Sequence, residues 1–393
     1  MKKWMKLGLA FASVALLTGC TSANSGSQAK NEKQATNSDT VKVGLNYELS
    51  GAVSAYAQQQ KDALEMAKDE INEAGGILGK KVEFVIKDNK SETAEAASVA
   101  ASLANEKDLV AVIGPATSGA FKATIPNMKK AGIPAITPSG TDDSITKDKN
   151  GVYENIFRTC FQDSFQGVIL AQYASHNLKA NRALIIGDNS SDYAKGLTKS
   201  FKETFEGEVV GEENFVAKEK DFKAMLTKVK NKEFDFIYLP GYYEEAGAII
   251  KQAREMGIEQ PILGADGFSD PKLVDIAGKD NVTNVFYTSH FSETAPATDK
   301  VSDFVANFKK RYDLTPSSFN ALGYDSLYLL KDAIERADST DHAAVEKALS
   351  ETKDFVGVTG VMSIDENHNP EKAAVVIGLE KGQEASAEVV EPK

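Results

Sequence analysis

The sequence predicts an α/β protein built as two tandem units, each on a mostly parallel sheet. Three observations predict it: short uninterrupted runs of Val, Ile and Leu, amphipathic stretches of helical period between them, and a restart of that alternation halfway along the chain. Strands apolar on both faces belong to parallel sheets covered by helices on each side, and the intervening helices supply that cover.

The elements follow in order. VKVGLNY, from Val41, is a strand, and the segment from Gln59 to Glu73 places Ala63, Leu64, Ala67 and Ile71 on one helical face. GGILGKK turns the chain into strand VEFVIKD; AEAASVAASLAN is a helix, LVAVIG a strand, and IPAIT a further strand. The second half repeats the rhythm with strand ALIIGD, a helix from Ala194, strand EVVGEENF, a helix from Phe222 to Val229, strand FDFIYLPG, a helix from Glu244 to Met256, and strands PILGAD and NVFYTS. YDSLYLLKDAIERA and HAAVEKALSET then read as helices, and GVTGVMSIDENHNPEKAAVVIGLE as a hairpin-like piece. The pattern by itself leaves open which unit these late segments join.

The N-terminus stands apart. MKKWMK is basic, LGLAFASVALL is apolar but short for a permanent span, and LTGC sets small residues before Cys20. Residues 1–19 are expected to be a lipoprotein signal peptide, with Cys20 carrying lipid; an ordinary signal peptide with an incidental cysteine is the alternative. Residues 20–40 are polar and rich in Ser, Asn, Lys and Gln, the composition of a disordered tether. About 350 residues remain, more than one core usually serves, which favours two domains. The sequence has two cysteines, so with Cys20 committed, Cys160 has no intrachain partner. The net charge of -12 argues against nucleic acid or an anionic lipid surface as a partner.

Catalytic and metal chemistry find little support. VIGPATSGAF has the strand–turn–helix placement of a nucleophile elbow but lacks Gly-x-Ser-x-Gly. The histidines, at 176, 290, 342 and 368, fall by pattern in helix tails or polar loops, and none is expected beside a strand-end acid in a triad arrangement. GGILGKK lacks P-loop spacing, and no zinc or calcium signature is present, so neither a cofactor nor a metal is expected.

Binding without turnover fits better. In open α/β sheets ligands lie beyond the carboxyl ends of the strands, where helix N-termini present free amides. Thr117, Ser118 and Gly119 stand at such a point and offer hydroxyls, amides and a helix dipole to a carboxylate, although Ser118 could equally be a plain helix cap. ITPSGTDDS repeats the chemistry at the next strand end, with the Ser139 carbonyl and the Thr141 hydroxyl; Asp142 and Asp143 look like capping charge. Asp266 in ILGADGF follows a third strand and could meet an ammonium, or simply form a turn before Gly267. Together these loops describe a site for an anion and a cation on one small molecule.

SGAVSAYAQQQKDALEMAKDEINEAGGILGKKVEFVIKD, VIGPATSGAFKATIP, GIPAITPSGT, FRTCFQDSFQG, DNSSDYAKGL, YLPGYYEEAGAIIKQARE and GADGF, in that order and spacing, carry a resemblance. Residues 41–385 resemble the leucine/isoleucine/valine-binding proteins of ABC importers, periplasmic binding proteins of the first structural type. The resemblance implies two Rossmann-like lobes joined by three crossovers, near Gln162, His290 and Phe355, that close like a flytrap. Lobe 1 would be 41–161 with 290–354, and lobe 2 would be 162–289 with 355–393. It implies that Ser118 takes the ligand α-carboxylate, the Ser139 carbonyl the α-ammonium, and Thr141 the amino acid head. Asp266 would pair with the ammonium, and Tyr56, Tyr193 and Tyr242 would line the cleft, with Thr117 and Asp163 near it. Gram-negative members carry Glu where Asp266 stands and a lobe-1 disulfide that is absent here. The implied function is a monomeric, exported lipoprotein on the outer face of the cell membrane that delivers branched-chain amino acids to an ABC permease and ATPase. A tethered sensor of amino acids or amides, presenting its closed form to a signalling partner, is the alternative.

Overall fold

The computed structural model describes residues 39–391; the signal segment, Cys20 and most of the tether lie outside the described residues. The chain opens with β1 (Thr40–Tyr47), α1 (Ser54–Glu73), β2 (Lys81–Asp88), α2 (Thr93–Leu103), β3 (Leu109–Ile113), α3 (Ser118–Ala131) and β4 (Ala135–Thr137). A two-stranded ribbon, β5 (Lys147–Asp148) and β6 (Gly151–Val152), precedes β7 (Ile156–Arg158). The first sheet is parallel throughout, in the order β2-β1-β3-β4-β7. Its central strand β3, LVAVI, is buried at every residue, as a strand covered on both faces must be, whereas the edge strand β2 is exposed at Lys81, Glu83 and Ile86.

From Arg158 the chain crosses to a second body: α4 (Asp163–His176), β8 (Arg182–Asp188), α5 (Asp192–Thr204), β9 (Glu208–Phe215), α6 (Lys223–Val229), β10 (Phe236–Tyr238), α7 (Tyr243–Glu255), β11 (Ile262–Gly264), α8 (Pro271–Ala277) and β12 (Val285–Ser289). It crosses back to α9 (Lys300–Tyr312), α10 (Ser318–Ala337) and α11 (His342–Ser350), and α10 packs along α1. After a small antiparallel sheet, β13 (Phe355–Val356), β14 (Val361–Ile364) and β15 (Pro370–Glu371), the chain ends in β16 (Ala374–Glu380) and β17 (Gln383–Val390). The second sheet runs β17-β16-β12-β11-β10-β8-β9, with β16 and β17 antiparallel at one edge of an otherwise parallel sheet.

The segment expected to leave the first body at Phe355 stays in contact with it for longer. His368 stacks on Phe157 at 4.3 Å and Asn369 meets Thr146 at 3.2 Å, while only from Ala374 does the chain pair with the second sheet. Asp325 of α10 accepts from the amides of Val358 (2.7 Å) and Thr359 (2.8 Å), and the buried Lys372 donates to the Thr159 carbonyl at 3.3 Å and to Thr359. Burial pushes the Lys372 amine down to about 8, with the Asp325 carboxylate opposing. Lys372 thereby joins the first crossing, at Thr159, to the late segment at Thr359.

Strand order fixes where a site can form. In the first sheet β1 leads outward to β2, and β3 then appears on the other side of β1; in the second, β8 leads to β9, and β10 appears on the other side of β8. At each reversal two adjacent loops diverge to opposite faces and leave a crevice at the carboxyl ends. The two crevices are flanked by residues 48 and 114–118 in one body, and by residues 188–193 and 239–243 in the other.

Candidate ligand-binding cleft

In the first crevice Gly114 adopts φ +87°, and a Cβ there would lie 2.5 Å from the Asn46 carbonyl, so glycine alone lets β3 end this close to β1. The buried Glu48, just after β1, accepts from the Ala116 amide (3.0 Å), the Thr117 amide (3.1 Å) and the Thr117 hydroxyl (2.8 Å). Burial pushes the Glu48 carboxyl up, and these donors oppose it. The loop is thereby pinned, and the Thr117 hydroxyl is already engaged. Thr117, not Ser118, is the N-cap of α3, and it makes no side-chain cap bond. Ser118 is the first helical residue; its Oγ accepts from the Thr141 and Asp142 amides at 3.1 Å each. Ser118 is therefore no plain helix cap, and its own amide and that of Gly119 belong to the first turn, which has no intrahelical acceptors and carries the positive end of the dipole.

Ser139 is buried, accepts from Gln60 Nε2 at 2.6 Å and donates to the Ala116 carbonyl at 2.7 Å. Thr141 and Asp163 lie deeper, joined by a 2.8 Å bond from the Asp163 amide to the Thr141 carbonyl. Burial raises the Asp163 carboxyl well above the usual range and the nearby Asp266 adds to it; the Thr141 hydroxyl eases it without reaching hydrogen-bond geometry. Asp143 accepts from the Ser164 amide in the first turn of α4 at 3.3 Å, a capping role across a loop.

The second crevice supplies a ring wall and an acid. Tyr193, at the start of α5, and Tyr242, the N-cap of α7, stack at 5.0 Å with planes 2° apart. Tyr193 donates to Asp266 Oδ1 at 2.7 Å and accepts from the Gly267 amide at 2.9 Å. Asp266 opens a short 3-10 turn after β11, and its amide donates to Gln166 Oε1 at 3.0 Å. His290 Nε2 lies 3.4 Å from Asp266 Oδ2, a histidine beside a strand-end acid. His290 directly follows β12 and is buried, and burial pushes it down to about 4, so it is neutral at ordinary pH. No triad results, because Ser118 Oγ is engaged by amides and not by a base.

The two crevices face each other and touch. Tyr56 of α1 donates to the Gly267 carbonyl at 2.7 Å and accepts from the Tyr243 amide at 3.1 Å. Its ring lies 4.3 Å from Phe319 and 5.8 Å from Tyr242. At the rim Lys122 meets Asp192 at 2.8 Å, and Lys218 meets Glu92 at 3.1 Å. Between the loops is a narrow cleft of about 10 Å³, room for about one water. Tyr56, Thr117, Ser118, Ser139, Tyr193, Tyr242 and Asp266 all line it, whereas Thr141 and Asp163 are buried behind its wall. Ala116, Gly267 and Phe319 also line it and were not expected. Glu48 carried the same signal as Asp266, an acid directly after a strand; Phe319, inside an apolar helix pattern, carried none.

Two α/β bodies closing on a small cavity, with hydroxyls and a helix N-terminus on one side and a carboxylate among tyrosines on the other, make a solute-binding protein. The sequence model for periplasmic binding proteins matches residues 40–384, and the chain belongs to that family, with the type 1 fold. Among curated relatives, the Leu/Ile/Val-binding protein BraC3 of Rhizobium johnstonii is 31% identical over 332 residues, 83% of this chain and 88% of that protein. Among solved structures, the branched-chain amino acid transporter substrate binding protein LivJ of Streptococcus pneumoniae, in complex with isoleucine, superposes with a TM-score of 0.86 and 46% identity, covering 90% of this chain and all of that one. The leucine binding protein LivK of Thermotoga maritima gives 0.83 and 32%, covering 90% and 99%.

Proposed function

We propose that this protein is the exported substrate-binding component of an ABC importer and that its ligand is a branched-chain amino acid, Leu, Ile or Val. The observation that carries the reading is a small cleft between the two bodies with opposite charge preferences at its two ends. Ser118 and the first-turn amides of α3 take the α-carboxylate; Asp266, helped by the Ser139 carbonyl, takes the α-ammonium. Tyr56, Tyr193, Tyr242 and Phe319 surround the aliphatic side chain, and Thr141 and Asp163 support the head group from behind. The names of the similar proteins from R. johnstonii, S. pneumoniae and T. maritima point to the same ligand class.

Magnitudes agree with this assignment. Charge-assisted hydrogen bonds contribute roughly 1.5–3 kcal/mol each, and burial of an aliphatic side chain about 1.5–3 kcal/mol. After association costs, micromolar affinity, near −8 kcal/mol, is within reach. Lobe 1 (41–161 with 290–354) and lobe 2 (162–289 with 355–393) each contribute part of the site, so the closed state gains contacts that the open state lacks, and the ligand shifts the population toward closure. The stacking of His368 on Phe157 and the bond from Lys372 to the Thr159 carbonyl support moving the third crossing from near Phe355 toward Lys372. An ABC permease then receives the closed form, and lipid on Cys20 holds a monomer at the outer face of the cell membrane.

Isothermal titration of the body against an amino acid panel tests the ligand. Micromolar binding of Leu, Ile or Val is expected; tight binding of glutamate or glutamine with none of leucine would reject the assignment. Release of a Cys20→Ser variant into the medium tests the anchor.

A further inference from the structure

We propose that His290 is a positioning residue for ligand recognition: it holds Asp266 aimed at the ligand ammonium, and so sets the discrimination between ligands that carry an amine and ligands that do not. The proposal rests on the reading that Asp266 meets that ammonium.

Asp266 is buried at 3% exposure, and a buried carboxyl group keeps its direction only when its oxygens are satisfied. Tyr193 satisfies Oδ1 at 2.7 Å. At Oδ2 the neighbour is His290 Nε2, at 3.4 Å. A cation there would neutralise the acid and repel an incoming ammonium. A neutral imidazole donates without doing either, and His290 is neutral because burial disfavours its charged form. Its Nδ1 has no partner, so the ring has one polar task, and the tautomer that performs it bears the proton on Nε2.

The ring is also fixed from outside the site. It stacks on Phe161 at 3.6 Å, with planes 22° apart, and its backbone amide donates to Ser318 Oγ at 3.3 Å. Phe161 lies on the first crossing of the chain and His290 on the second, while Ser318 begins α10, whose next residue, Phe319, lines the cavity. The orientation of Asp266 is therefore set by the segments that bend when the bodies open and close.

The test compares leucine with 4-methylpentanoate, which keeps the carboxylate and side chain but has no amine, across His290→Phe, His290→Gln and Asp266→Asn. His290→Phe preserves an aromatic ring against Phe161 and removes the donor. It is expected to weaken leucine about 3- to 10-fold while leaving 4-methylpentanoate within about twofold. His290→Gln, which returns an N–H at similar reach, is expected to recover most of the loss. Equal effects of His290→Phe on both ligands, or none on leucine, would overturn the proposal. If Asp266→Asn also fails to distinguish the two ligands, the ammonium reading itself falls; if it distinguishes them and His290→Phe does not, only the role of His290 falls. Should His290→Phe not fold, ring nitrogen shifts of the unaltered protein decide: an Nε2–H tautomer whose resonance moves on leucine addition and not on 4-methylpentanoate addition supports the proposal, and an Nδ1–H tautomer overturns it.

Discussion

Asp266 and Tyr56 both touch Gly267 or its neighbours, yet they do different work. Asp266 offers a full charge, while the Tyr56 hydroxyl bridges the Gly267 carbonyl and the Tyr243 amide across the cleft. Asp266→Asn is expected to weaken amino acid binding about 10- to 100-fold, and Tyr56→Phe only about 2- to 10-fold, because neutral bonds contribute about half as much as charge-assisted ones. Titration calorimetry on both variants checks this, and equal small losses would count against the ammonium assignment. His290 gives a second expectation. Its folded value near 4 lies below the ordinary 6.5, so the unfolded chain binds the proton first and stability is lost as pH falls from about 6.5 toward 4. Urea unfolding at a series of pH values should show this fall in the native protein, by up to about 3 kcal/mol, and a flatter profile in His290→Phe. The loop residues lining the cleft were suggested by hydroxyls and acids at several strand ends together, since any one of them alone reads equally well as a cap or a turn. Glu48 was equally legible and went unread; His290 was not legible, since its partner lies 24 residues away in sequence and only the sheet order brings them together.

Among the elements, the central strands and the longer amphipathic helices declared themselves through apolar runs and helical period. The helix read from Gln59 extends back to Ser54, and the one read from Ala194 starts at Asp192, since first turns rest on cleft contacts and local caps that periodicity does not record. β17 escaped notice because QEASAEVV is an exposed edge strand with little apolar patterning, and α4 because it is apolar on most sides. The packing of α10 on α1 supplies a further expectation. Gly323 sits mid-helix, where alanine would ordinarily add about 1 kcal/mol of helix stability, but a Cβ there would meet the Gln60 carbonyl at 2.6 Å. Gly323→Ala should therefore destabilise the protein by about 1–3 kcal/mol, read by chemical denaturation. It should also weaken ligand binding, because Gln60 holds Ser139.

For the whole molecule, closure is the event that matters, and its rim carries charges. Lys122 reaches across to Asp192 at 2.8 Å while also meeting Asp142 of its own body at 3.3 Å. Both ends of the cross-cleft pair are partly exposed, so its contribution is at most about 1 kcal/mol. Lys122→Ala should weaken affinity about 2- to 5-fold in dilute buffer, and the difference should vanish at high salt, where exposed pairs are screened. Calorimetry in the two buffers separates this from a loss of contacts to the ligand. The tandem α/β plan was legible from the repeated alternation, whereas the return of the last two strands to the second sheet was not legible in the pattern and entered only through the family resemblance, because strand partners are chosen by the topology of the full chain.

Cys160 lies on the first strap between the two bodies, fully buried, with its Sγ–H directed to the Gly140 carbonyl at 3.1 Å and its thiol pushed up to about 12. At rest such a sulfur is invisible to alkylating reagents, since neither access nor thiolate is on offer. It is thus a native clock: the pace at which a small electrophile marks it counts how often the strap frays, with no foreign probe introduced.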